Sequence, residues 1–179
     1  MTTLPLPAGL LLLTVTACFL PVARAQCLPD QLDVGGMTIE FATTTATYDD
    51  DVRISAMGTD APTVTATGVE GDLLLVLVDP DAPSARMCPS NYWLHWIAEI
   101  HILNDEIVIE KTIVAYEAPS PPPRSGPHRY QFILYTLDLL VPLDQVPGSR
   151  SGFNLARFIT GLGLGNSDPV ASFQFTAEN

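Results

Sequence analysis

Basic residues are scarce in this 179-residue chain: 8 Lys and Arg face 20 Asp and Glu, giving a formal net charge of −12, and Lys111 is the one lysine. No basic face long enough to neutralise a phosphate backbone can be assembled, which excludes nucleic acid as a main partner. Charged residues make up 16 % of the chain against 47 % hydrophobic ones, far too much apolar surface for a disordered segment. The apolar run Leu10 to Leu20 is shorter than the ~20 residues of a membrane-spanning helix and is interrupted by Thr14 and Thr16, so no transmembrane segment is expected. Asn-x-Ser/Thr is absent, and with it an N-glycosylation site. The length admits one domain, without internal repeats, and a monomer is expected.

What is present begins with a targeting pattern. Ala23-Arg24-Ala25 follows the apolar run with small residues at the two positions a signal peptidase reads, so residues 1–25 are expected to be removed before Gln26. The rival is a lipid-attachment box, Val15-Thr16-Ala17-Cys18. Loss of Arg24 leaves 7 basic against 20 acidic residues in 26–179, a net charge of −13 on an acidic, secreted domain. Cys27 and Cys88 then remain, in a compartment where thiols oxidise. A disulfide between them is expected, with two buried free thiols as the alternative that spacing leaves open.

The 16 prolines argue against a helical bundle. Short alternating stretches, Met37 to Thr43 and Val64 to Val69, read as strands joined by turns, and Asp49-Asp50-Asp51 as a solvated loop. Leu73 to Val78 is continuously apolar between Gly71-Asp72 and Asp79-Pro80, the pattern of a strand buried on both faces. Leu94 to Leu103 alternates with period 2; Ile107 to Ala115 and Arg129 to Leu140 are further strand-like segments. Five prolines between Ala118 and Pro127 make a stiff extended loop. One helix is expected late, capped by Ser151 and ended by Gly161, Gly163 and Gly165, before a last strand over Pro169 to Phe175.

Polar groups that follow apolar strands collect at sheet ends, where pockets form. Three such places stand out: Asp79-Pro80-Asp81-Ala82-Pro83, Trp93-Leu94-His95-Trp96, and Gly126-Pro127-His128-Arg129-Tyr130. In this order they resemble the phosphatidylethanolamine-binding protein family, which includes the Raf kinase inhibitor protein and plant flowering regulators. The resemblance is clear over Leu73 to Tyr135. It implies a mainly β fold: a large central antiparallel sheet, a smaller second sheet, and flanking helices near the C-terminus. It further implies a cis peptide at Ala82-Pro83 and a small anion pocket lined by Asp79, Pro83, His95, Pro122, His128 and Tyr130. Family members commonly carry a His-His pair where this chain has Leu94-His95, so the pocket is expected to be less polar.

The chemistry of those side chains agrees with an anion site. One carboxylate can orient a histidine, two imidazoles and a phenol can hydrogen-bond a phosphate, and the expected ligand is a phosphate-bearing small molecule or a phospholipid head group. Affinity for a phosphomonoester is expected to rise as pH falls toward ~6, where histidines become cationic. His101 reads as a surface strand residue. The alternative is a metal-dependent enzyme using Asp79, His95 and His128 as a two-histidine, one-carboxylate site. An Asp79-x-Asp81 glycosyltransferase site is weaker, because the chain lacks room for a nucleotide-sugar domain. Ser84, Ser90 and Ser125 have no nucleophile-elbow context. The reading is therefore a non-enzymatic, secreted binding or modulatory protein with no cofactor, whose partners include a protein such as a protease or signalling molecule.

Overall fold

The structure, a computed structural model, describes residues 36–85, 91–137, 147–165 and 168–179. Residues 1–25, Cys18, Cys27, Cys88 and Ser90 lie outside the described residues, and with them the cleavage, lipidation and disulfide expectations. Eight strands form one antiparallel sheet in the order β2-β1-β3-β6-β5-β4-β7-β8. They are β1 (Met37–Phe41), β2 (Thr44–Ala46), β3 (Thr63–Ala66), β4 (Gly71–Asp79), β5 (Trp93–Leu103), β6 (Glu106–Val114), β7 (His128–Thr136) and β8 (Ala171–Ala177). Two short helices complete it, α1 (Ile54–Met57) and α2 (Leu155–Gly161).

β4 explains the architecture. Its apolar run pairs with β5 on one edge and β7 on the other, and Leu73 through Val78 are each 0 % exposed. Side chains alternate across a strand, so Leu73, Leu75 and Leu77 enter one core while Leu74, Val76 and Val78 enter another. The first core gathers Ile39, Phe41, Val64, Trp96, Phe132, Phe173 and Phe175. Phe41 meets Phe175 edge-on at 5.4 Å, so β2-β1-β3 folds over the large sheet. That wing takes the place of the expected smaller sheet, and its β3 pairs with β6 through a single register pair, Thr65 with Glu106. The second core is closed by α2 and by Leu137, Phe153, Leu162 and Leu164. Burial of each such side chain contributes about 1.5–3 kcal/mol.

One expectation changes and one is refined. The helix is capped by Asn154, whose side chain accepts a hydrogen bond from Arg157 N at 2.8 Å, not by Ser151. Phe153 forms a bridge with Tyr92, which holds the preceding residues extended and delays the helix start. Asp49-Asp50-Asp51 is solvent-facing but tied down: Asp49 Oδ1 accepts from Gln174 Nε2 at 2.9 Å, and Asp50 O accepts from Thr176 N at 2.7 Å. No helix among the described residues is long and apolar enough to cross a membrane.

Candidate functional site

The three sequence boxes meet at one end of the first core. β4 delivers Asp79, β5 delivers His95, and β7 delivers His128 and Tyr130, which share a face because they are two residues apart. Asp79 Oδ2 accepts a hydrogen bond from His128 Nδ1 at 2.7 Å, with the histidine side chain 0 % exposed. His95 packs edge-on to Tyr130 at 5.2 Å, and Tyr130 stacks on Phe175 at 5.2 Å. Asp79, His95, His128 and Tyr130 are all buried. Pro83 and Pro122, expected in the same lining, are exposed. Pro122 O instead accepts from Ser125 N and Oγ, fixing the turn that leads to His128. Pro83 follows a cis Ala82-Pro83 bond, as the resemblance implies, and lines a neighbouring cleft of about 310 Å³ with Tyr92, Trp93 and Ser151.

The boxes are zipped together by ion pairs. Asp79 Oδ1 accepts from Asp81 N at 2.7 Å, and Asp81 holds Arg129, the neighbour of His128, through both oxygens. His95 is clamped by Glu117: Glu117 N donates to His95 O at 2.9 Å, and His95 Nδ1 donates to Glu117 O at 2.7 Å. Arg150 locks that arrangement by donating to the carbonyls of Leu94, His95 and Ala115 while pairing with the Glu117 carboxylate. Sequence reasoning missed Glu117 and Arg150. In so acidic a chain a part-buried arginine is a signal, yet no pattern connects position 150 with position 95. Leu94, which replaces the family's first histidine, is buried in the second core, on the opposite side of the sheet from His95. The change therefore leaves the Asp79–His128 cluster untouched.

The electrostatics constrain the chemistry. A carbonyl can only accept, so His95 carries its proton on Nδ1 and presents Nε2 as a lone pair when neutral. Burial pushes the His95 pKa below the ordinary 6.5, against smaller raising effects from Glu117 and Asp79. Burial therefore works against the acid-side gain in anion affinity expected from His95. Burial, reinforced by Asp79, raises the Tyr130 phenol well above its usual range. His128, with Nδ1 directed to Asp79, has a buried Nε2 with no hydrogen-bond partner. Asp79, His95 and His128 do not converge as metal ligands, and no metal-holding group of three His, Cys, Asp or Glu occurs among the described residues. His101 pairs with Asp72 at 2.7 Å on the outer surface, apart from the cluster.

The family described as Phosphatidylethanolamine-binding protein matches residues 34–174. The 26 kDa secreted antigen of Toxocara canis is 30 % identical over 137 residues, covering 73 % of this chain and 52 % of that protein. The protein FLOWERING LOCUS T of Arabidopsis thaliana is 36 % identical over 106 residues, 58 % of this chain and 57 % of its own length. The chain spans about half the length of the curated relatives it matches. Among solved structures, a carboxypeptidase Y inhibitor complexed with its cognate proteinase shares the fold with a TM-score of 0.69 at 22 % identity, over 82 % of this chain and 84 % of that one. A phosphatidylethanolamine-binding protein from Plasmodium vivax shares it with a TM-score of 0.63 at 18 % identity, over 80 % and 84 %.

Proposed function

The chain belongs to the phosphatidylethanolamine-binding protein family, and on that premise we propose a secreted, non-enzymatic binding protein whose Asp79–His128 cluster takes the phosphate of a small phosphomonoester or phospholipid head group. The observation that carries the reading is the unpartnered Nε2 of His128. Buried polar atoms are almost always paired, and an orphan beside a carboxylate-oriented imidazole is what a bound group would satisfy. As an imidazolium balanced by Asp79, His128 donates Nε2–H to an anion; as a neutral ring it accepts from the P–OH of a monoprotonated phosphate. With −13 on residues 26–179, the long-range field opposes anions, so these local groups supply the affinity and binding is weak. The 1–25 segment and the relative named a secreted antigen support secretion, and a Cys27–Cys88 disulfide belongs to the same reading. Mass spectrometry of the non-reduced protein checks that pairing.

Titration calorimetry with O-phosphoethanolamine tests the site. His128→Ala should weaken binding by about 1.5–3 kcal/mol, the value of a hydrogen bond to a charged group, while His101→Ala leaves it unchanged. Equal losses, or no wild-type binding at millimolar ligand, remove the assignment. A protein partner is the second reading. The solved inhibitor in complex with its proteinase is a fold relative, so inhibition of a panel of secreted proteases is the measurement that decides it.

A further inference from the structure

Two buried side-chain polar atoms among the described residues lack a hydrogen-bond partner: His128 Nε2 and Tyr116 Oη. One belongs to the cluster already assigned, and no motif pointed to the other. Tyr116 directly precedes Glu117, whose N–H and carbonyl are both bound to His95, so its backbone is fixed at the edge of the cluster. Its ring meets Trp96 edge-on at 5.6 Å and packs against the same core face as Tyr130. The Tyr130 phenol lies within electrostatic reach of both Asp79 and Tyr116. The orphaned Tyr116 hydroxyl is thus tied to the cluster through Tyr130, the tyrosine that packs edge-on to His95.

We propose that Tyr116 is a ligand-binding residue of this site, its phenol donating a hydrogen bond to a phosphate oxygen. The inference rests on the phosphate reading of the Asp79–His128 cluster. The cluster is short of donors for an anion, because the Nδ1 of His95 is spent on the Glu117 carbonyl and a neutral ring has only an acceptor left. Tyr116 repairs that shortage. Burial pushes its pKa up to about 12, so it keeps its proton at every physiological pH. A buried hydroxyl without a partner costs stability in the free protein, and that cost is recovered when a ligand oxygen accepts from it.

Tyr116→Phe separates a ligand contact from a structural role, since it removes the hydroxyl and keeps the ring against Trp96. Calorimetric titration with O-phosphoethanolamine should show about tenfold weaker binding, while the unfolding midpoint of the ligand-free variant stays equal to wild type or rises. Unchanged affinity in Tyr116→Phe, with affinity lost in His128→Ala, overturns this inference and leaves the phosphate site standing. A lower unfolding midpoint means that the hydroxyl is satisfied within the fold and overturns it too. Absence of wild-type binding overturns the site itself and this residue with it. Inorganic phosphate titrated in parallel distinguishes a head group from the free ion: equal affinities assign the contact to phosphate alone.

Discussion

Asp81 grips Arg129 with both carboxylate oxygens, Oδ2 on Nε at 2.8 Å and Oδ1 on Nη2 at 2.9 Å, one residue beyond the place where Asp79 holds His128. Oδ2 also accepts from Arg129 N at 2.9 Å. The fork fixes the start of β7, and so the position of the His128 ring. Arg129→Lys keeps the charge and loses the planar two-pronged geometry. It should destabilise by about 1–2 kcal/mol, and Asp81→Ala, which strands a part-buried guanidinium, by about 3 kcal/mol. Urea unfolding measures both, and a lysine variant as stable as wild type would show that charge alone suffices.

Arg150 carries a second prediction. Three carbonyls and the Glu117 carboxylate converge on its guanidinium, so Arg150→Ala leaves the carbonyls of Leu94, His95 and Ala115 without that donor. A loss of about 2–4 kcal/mol is expected, with Arg150→Lys recovering only part, because one ammonium cannot reach all of them. Chemical denaturation of the two variants is the check. Equal stability of the alanine variant and wild type would remove Arg150 from its supporting role.

The sheet was legible in the sequence because its signals are local. Six consecutive apolar residues from Leu73 to Val78 announce a strand buried on both faces, and their 0 % exposure agrees. The cluster was legible through the boxes around Asp79, His95 and His128. What escaped was non-local. Nothing within ten residues of Arg150 announces His95, and the same holds for Tyr116, whose ring meets the distant Trp96 and whose hydroxyl has no hydrogen-bond partner. The helix cap failed for a related reason: Ser151 and Asn154 are both acceptable caps, and the choice was made by the distant bridge between Tyr92 and Phe153.

Two glycines give a third prediction, each for a different reason. Gly126 precedes the His128 strand with φ +89, where an added Cβ meets no atom within 4 Å. Gly126→Ala therefore loses about 1–2 kcal/mol to backbone strain alone. Gly165 has no such backbone demand, but a Cβ there would stand 2.9 Å from Thr160 Oγ1 and 3.1 Å from Thr160 Cα. Gly165→Ala should cost about 1–3 kcal/mol by crowding the turn after α2. Thermal unfolding reads both, and only Gly126→Ala should also disturb O-phosphoethanolamine binding, since only that glycine adjoins the cluster.

The fourth prediction is a pH dependence of stability set by His95. Burial lowers its pKa below the 6.5 of the unfolded chain, where the ring is solvated. In the interval between the two values the unfolded state binds the proton and the folded state does not. Stability therefore rises with pH through that interval and is lost as pH falls below 6.5, with a slope of at most about 1.4 kcal/mol per pH unit for the one site. Protonation would also set a buried cation near Arg150, which itself lowers the His95 pKa. Urea midpoints between pH 7.5 and 5, above the range where most carboxylates titrate, should decline in wild type and less steeply in His95→Gln. An equal slope in both proteins would mean that another group carries the acid sensitivity, and a flat wild-type profile would mean that His95 takes up its proton without penalty inside the fold.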